Sequence, residues 1–173
     1  MNKRYDRTIP SHDEAIRRIR ELFASKSKPT GKRYVIAGIC ERLKNDLKEK
    51  GITIDDNYVH SINDEGIKHT FNRNHNLSES DFFLLLEIIE HYDRIIIGNT
   101  RINLAAIIYE KTMTNGDIIY VEEIRTGRKA LSFKTLYYKR KGDNRAESSV
   151  NSLSLRPKRI PGSSPSESKD ISF

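Results

Sequence analysis

The stretch GIKHTFNRNH, Gly66 to His75, gathers two of the chain's 5 histidines and two cations in one short segment. A helix beginning near Asp64 places His69 and Arg73 four residues apart on one face. His75 lies six residues beyond His69, and turns back toward the same cleft if the helix ends near Asn74. Such a set suits cleavage of RNA without a metal. One group must take the proton of the 2′-hydroxyl, and another must protonate the departing 5′-oxygen. A cation must balance charge on the phosphorane. Imidazole titrates near neutral pH and can fill either proton role. Lys68 and Arg73 supply cations. The competing account is two half-exposed histidines with no chemical role.

Other chemistry finds less support. His69 and His75 lack close helical ligand spacing, and nothing resembles a paired-histidine zinc motif. The single cysteine, Cys40, excludes an internal disulfide framework and a cysteine-based zinc site. No metal or cofactor is therefore expected. His60 is expected to end a strand, His91 to lie near a helix end, and His12 to fall in a first helical turn.

The closing strand LSFKTLYYK is the second informative segment. Strict alternation puts Leu131, Phe133, Thr135 and Tyr137 on one face, and Ser132, Lys134, Leu136 and Tyr138 on the other. Neither face is purely apolar, so a hydroxyl or an amine points inward or into a cleft. Thr135 and Lys134 share a cleft only if the strand bends, and Thr135 is the one favoured there. Lys134 and Tyr138 remain candidate substrate contacts. In YVEEIR, the adjacent Glu122 and Glu123 face opposite sides, so they are not a paired acid and base. One of them could be a general base or orient a histidine, although a solvent-facing strand position is the plainer fate of each. Arg125 is a further candidate substrate contact.

These residues need elements to hold them. Ser11 and Glu14 have capping-box spacing before an amphipathic run carrying Ile16, Ile19, Leu22 and Phe23. A second helix is expected through YVIAGICERLKNDLKEK, stopped by Gly51. DNYVHSIND suggests a strand running into a turn, with Asn63 or Asp64 capping the helix that carries His69. NLSESDFFLLLEIIEHYD suggests one strongly apolar helix, with Ser78 or Ser80 just before it. After Asp93, four segments rich in β-branched and aromatic residues follow, with turns at Asn115-Gly116 and Thr126–Arg128. The expected fold is α+β: N-terminal helices, then a four-stranded antiparallel β-meander packed against helices. Three parts are expected: a helical extension over 1–53, a core domain over 54–140, and a Ser- and Pro-rich tail over 141–173. The tail should lack a globular core, or else dock through LRPKRIP.

A formal net charge of +7 over 173 residues favours a polyanionic partner. No apolar run is long enough for a membrane span or a signal peptide, so a cytoplasmic protein that does not engage membranes is expected.

The order IKHTFNRNH, SDFFLLLEIIEHYDRI, IIYEKTMTNGDIIYVEEI, LSFKTLYYKR resembles the phage-associated nuclease domains of the BECR superfamily, named for barnase, EndoU, colicin and RelE-type nucleases. The resemblance spans roughly His60 to Arg140. It matches Lys68-His69 and His75, Asp81-Phe82, Tyr92-Asp93, Val121-Glu122-Glu123, and Thr135 with Tyr137 or Tyr138. Asn76 follows the second histidine where the family often has Gly. The resemblance implies a metal-independent endoribonuclease of a phage or mobile element, toxin- or effector-like, leaving a 2′,3′-cyclic phosphate. RNA is then the expected partner, with an inhibitor or antitoxin protein as a further one. His69, His75 and Thr135 are the implied catalytic set. The alternatives are a non-catalytic nucleic-acid-binding module, or a phage structural or packaging accessory protein.

Overall fold

The computed structural model describes residues 6–73, 76–114, 116–139 and 156–157. The first helix, α1 (His12–Ala24), starts where its cap predicts: the Ser11 hydroxyl accepts from the Glu14 amide at 3.2 Å. Its buried stripe of Ala15, Ile19 and Leu22 faces the core.

The next segment departs from expectation. The single helix read from Tyr34 onward is instead a strand, β1 (Arg33–Gly38), followed by a helix, α2 (Glu41–Glu49). Tyr34, Val35 and Ile36 favour a pleated strand, and Gly38 disfavours a helix interior. Pairing decides the matter, because β1 runs antiparallel to β2 (Val59–Asn63). Gly51, at φ +82°, then turns the chain after α2 as expected.

β2 passes directly into α3 (Asp64–Arg73). The Asn63 side chain caps this helix, accepting from the Gly66 amide at 2.8 Å. The buried Asp64 carboxylate accepts from the Thr30 and Gly31 amides at 2.8 and 3.0 Å, which ties the α1–β1 connection to the head of α3. Gly66 permits a close approach: a Cβ there would fall 2.9 Å from the Phe133 ring. The apolar helix expected after Ser78 is broken at Leu84 into α4 (Glu79–Phe83) and α5 (Leu85–His91).

The meander follows as β3 (Arg94–Asn99), β4 (Ala105–Met113), β5 (Gly116–Arg125) and β6 (Ala130–Lys139), each antiparallel to the next. It is the centre of a larger sheet, not the whole of it. Among the described residues the strand order is β1-β2-β6-β5-β4-β3-β7, where β7 is Arg156–Pro157. β2 joins β6 in parallel, so the expected four-stranded antiparallel sheet is extended on both sides. β7 is the only part of the 141–173 segment that is described, and the expectations for the rest lie outside the described residues.

The helices cover one face. Ile19, Leu43, Leu47, Phe82, Leu85 and Ile89 pack there with Ile107, Tyr120 and Leu136 into one core cluster. α1, α2 and β1 thus share their core with the meander. A second cluster of Ala106, Ile108, Ile119, Val121 and Tyr137 lies on the opposite face, and it draws only on strands.

Candidate active site

The site is built on an irregularity in β6. Val121 pairs with Thr135 but Glu122 pairs with Phe133, so Lys134 is an extra residue, a β-bulge. The bulge reverses the alternation expected from the sequence. Leu131 and Phe133 belong to the helix-side core, but beyond the bulge it is Leu136 that does, and Tyr137 joins the opposite cluster. The bulge puts Lys134 and Thr135 in different surroundings. Thr135 is 1% exposed, its hydroxyl accepting from Thr70 of α3 at 3.4 Å. Lys134 reaches the rim, with Nζ 3.3 Å from Glu123 Oε1.

The two adjacent glutamates do face opposite sides, but neither faces solvent. Glu122 is fully buried on the helix side. Its oxygens accept from Tyr109 at 2.6 Å and Tyr120 at 2.8 Å, and His60 Nδ1 stands 2.7 Å from Oε2. Burial first, and then the carboxylate, push both tyrosine hydroxyls well above their usual range. Glu122 therefore orients a histidine, but the histidine is His60, itself 1% exposed. Glu123 faces the other way and is held by Arg125 at 2.6 Å and by Lys134.

α3 brings its exposed face to the same rim. Lys68, His69 and Arg73 are all exposed, and His69 and Arg73 fall one helical turn apart as expected. The His69 pKa is held below its usual 6.5, first by partial desolvation and then by the positive charges of Arg73 and Lys134. His69 and Lys134 are therefore close enough to sense one another. Helix α3 and the bulge form one basic rim.

Not every candidate joins it. Tyr138 lies on the helix side, its hydroxyl donating to Asp81 at 2.8 Å, and its pKa is pushed up to about 12 by desolvation and by that contact. His75 lies outside the described residues. His12 and His91 are exposed and lie on other elements. Among the described residues no three His, Cys, Asp or Glu side chains are grouped as a bound metal would require.

Sequence reasoning missed a polar cavity beside Glu123, on the same open face. Arg33 of β1, Ser61 of β2, Ser132 of β6, Arg125 and Arg128 line it. Arg33 donates to the Ser132 hydroxyl at 3.2 Å, which lies 3.3 Å from that of Ser61. These residues come from four strands and a turn, brought together from distant parts of the sequence. The one local signal was alternation, which sets Ser132 opposite Leu131.

A helix and a bulged strand thus present cations around an imidazole. The family model described as phage-Barnase-EndoU-ColicinE5/D-RelE like nuclease3 matches residues 36–146, more than half of the sequence, and the chain belongs to this nuclease family. The match includes α3, the β5–β6 bulge and Glu123. No curated protein and no solved structure gives a match. No described helix is long and apolar enough to cross a membrane.

Proposed function

We propose that the chain is an endoribonuclease that needs no metal and cleaves at the rim between α3 and the β6 bulge. The observation that carries this reading is the exposed face of α3, where His69 and Arg73 stand one turn apart, together with Lys134 at the β6 bulge; the nearby positive charges and partial desolvation hold the His69 pKa down. A histidine below its usual pKa is neutral at pH 7, the form that can take a proton from a 2′-hydroxyl. The O2′ then attacks phosphorus, the 5′-oxygen leaves with a proton from a second group, and a 2′,3′-cyclic phosphate remains. His75 is the proposed partner or a phosphate ligand. Lys134, with Arg73 and Lys68, offsets charge on the phosphorane. Glu123, clamped between Arg125 and Lys134, fixes the lysine's position. Thr135 supports the wall through Thr70 and stays out of contact with substrate.

The test is incubation with RNA in excess EDTA. Cleavage survives chelation and leaves cyclic phosphate ends. His69→Ala lowers the rate by ~10²–10⁴-fold, the usual loss for one acid or base, with thermal unfolding unchanged. Cleavage abolished by EDTA, or undiminished in folded His69→Ala and His75→Ala, contradicts the mechanism. Binding without cleavage makes the domain a nucleic-acid-binding module.

A further inference from the structure

We infer that the cavity between β1, β2, β6 and the β5–β6 turn is a second phosphate-binding subsite, which holds a backbone phosphodiester of the nucleic-acid strand outside the scissile bond. The inference rests on the nuclease reading of the neighbouring rim and extends it: the substrate is a polynucleotide gripped at two places.

Geometry provides the cavity. β2 and β6 pair only from Val59 to Ser61 against Ala130 to Ser132. Beyond that point β2 turns into α3 and β6 bulges, so the two strands part and leave a gap on the open face of the sheet. Two hydroxyls, Ser61 and Ser132, stand at its floor, 3.3 Å apart. Arg33 reaches in to Ser132 from the outer strand.

The charges favour an anion. Arg33, Arg125 and Arg128 line the cavity, with Glu123 the one carboxylate among its described lining residues, and Glu123 is already held by Arg125 and Lys134. A phosphodiester entering the gap meets a net positive field together with guanidinium and hydroxyl donors, the groups that bind phosphate oxygens. Arg128 is exposed and makes no ion pair among the described residues. The backbone beneath it is fixed. Arg7 donates to the carbonyls of Arg128 and Lys129 at 2.6 and 3.0 Å, and to that of Asn57 at 2.8 Å. Lys129, at φ 49°, takes the left-handed turn that this clamp secures. A pinned turn presents the guanidinium at reduced conformational cost. The cavity and the His69 rim meet at Glu123 and Lys134, so one strand can run across both.

The experiment measures binding of a fluorescent all-deoxy oligonucleotide, which lacks the 2′-hydroxyl and cannot be cleaved by this route, across a salt series in EDTA. The full chain is compared with Arg128→Ala, Arg128→Lys and Arg33→Gln. Arg128→Ala and Arg33→Gln should raise Kd several-fold and flatten the dependence of log K on log salt by about 0.7 for each phosphate that is no longer neutralised. Arg128→Lys should keep most of the slope. Unaltered Kd and slope in both neutral variants overturn the subsite, as does absence of binding by the unaltered chain. The catalytic reading fails separately. If His69→Ala still cleaves RNA while Arg128→Ala weakens binding, the subsite stands and the mechanism falls. If His69→Ala is inactive while both arginine variants bind normally, the mechanism stands and the subsite falls.

Discussion

Glu122 and Glu123 are neighbours in one strand, and their surroundings differ in almost every respect. Glu122 points into the helix-covered core, where His60, Tyr109 and Tyr120 surround its carboxylate and water does not reach. Glu123 points to the open face, where Arg125 and Lys134 hold it at the edge of a basic rim. Both are buried carboxylates with satisfied oxygens. The difference lies in what the partners can do next. The partners of Glu122 are sealed with it, so the network holds the fold together and has no access to substrate. The partners of Glu123 reach outward, so the carboxylate holds groups that are open to solvent and, in the proposed function, to a phosphate. Burial of a charged group thus marks a site only where its partners reach solvent.

The largest effect on stability is expected at Glu122. Glu122→Ala leaves His60 and two tyrosine hydroxyls without their acceptor in the core. Removing one partner of a buried charged network costs about 3–5 kcal/mol, so denaturant unfolding should show a loss of that size. A loss below about 1 kcal/mol, the range of a surface pair, would mean that the network carries no stability.

The open side should answer in rate instead. Lys134→Ala removes a preorganised cation and should slow RNA cleavage by about 10²-fold, with little change in unfolding midpoint. It should also shift the pH profile. In the proposed mechanism the neutral form of His69 is the active one, so the rate should fall as pH drops through its pKa, which is held below the usual 6.5 by partial desolvation and by the charges of Arg73 and Lys134. Loss of the Lys134 charge raises that pKa, so the acid limb should move to higher pH. A limb that stays in place, or moves down, removes the link between the two residues.

The smallest effect is expected at the seam. Thr70→Val or Thr135→Val alone should cost about 1 kcal/mol, because one buried hydroxyl loses its partner, while the double variant should recover much of it. Calorimetry of the three variants distinguishes this pattern from simple additivity.

The sequence revealed these features unevenly. The hairpin of β4 and β5 was legible because two β-branched runs flank a short turn, which closes with Met113 opposite Gly116 at φ +127°. The caps at Ser11 and Asn63 were legible because they are local. β1 was not, since Ile36, Ile39, Leu43 and Leu47 continue a helical spacing across a real strand–helix boundary. The parallel pairing of β2 with β6 joins residues some seventy positions apart, and no local pattern encodes it. The β6 bulge inverts alternation after Phe133, so face assignments made from period two went wrong for Leu136 and Tyr137 together. At the site, the spacing of His69 and Arg73 was readable from helical geometry. The choice between Lys134 and Thr135 depended on the bulge, and the Arg33 cavity on strands that only the folded sheet brings together.

The most direct test sets two histidines side by side. His60→Ala and His69→Ala are compared for unfolding midpoint and for single-turnover cleavage of one RNA in EDTA, with rates normalised to folded protein. His60→Ala should lower the midpoint while the folded fraction still cleaves, and His69→Ala should keep the midpoint and lose cleavage by ~10²–10⁴-fold. The reverse pattern, with cleavage lost at His60 and retained at His69, would place the chemistry in the buried network and contradict the account.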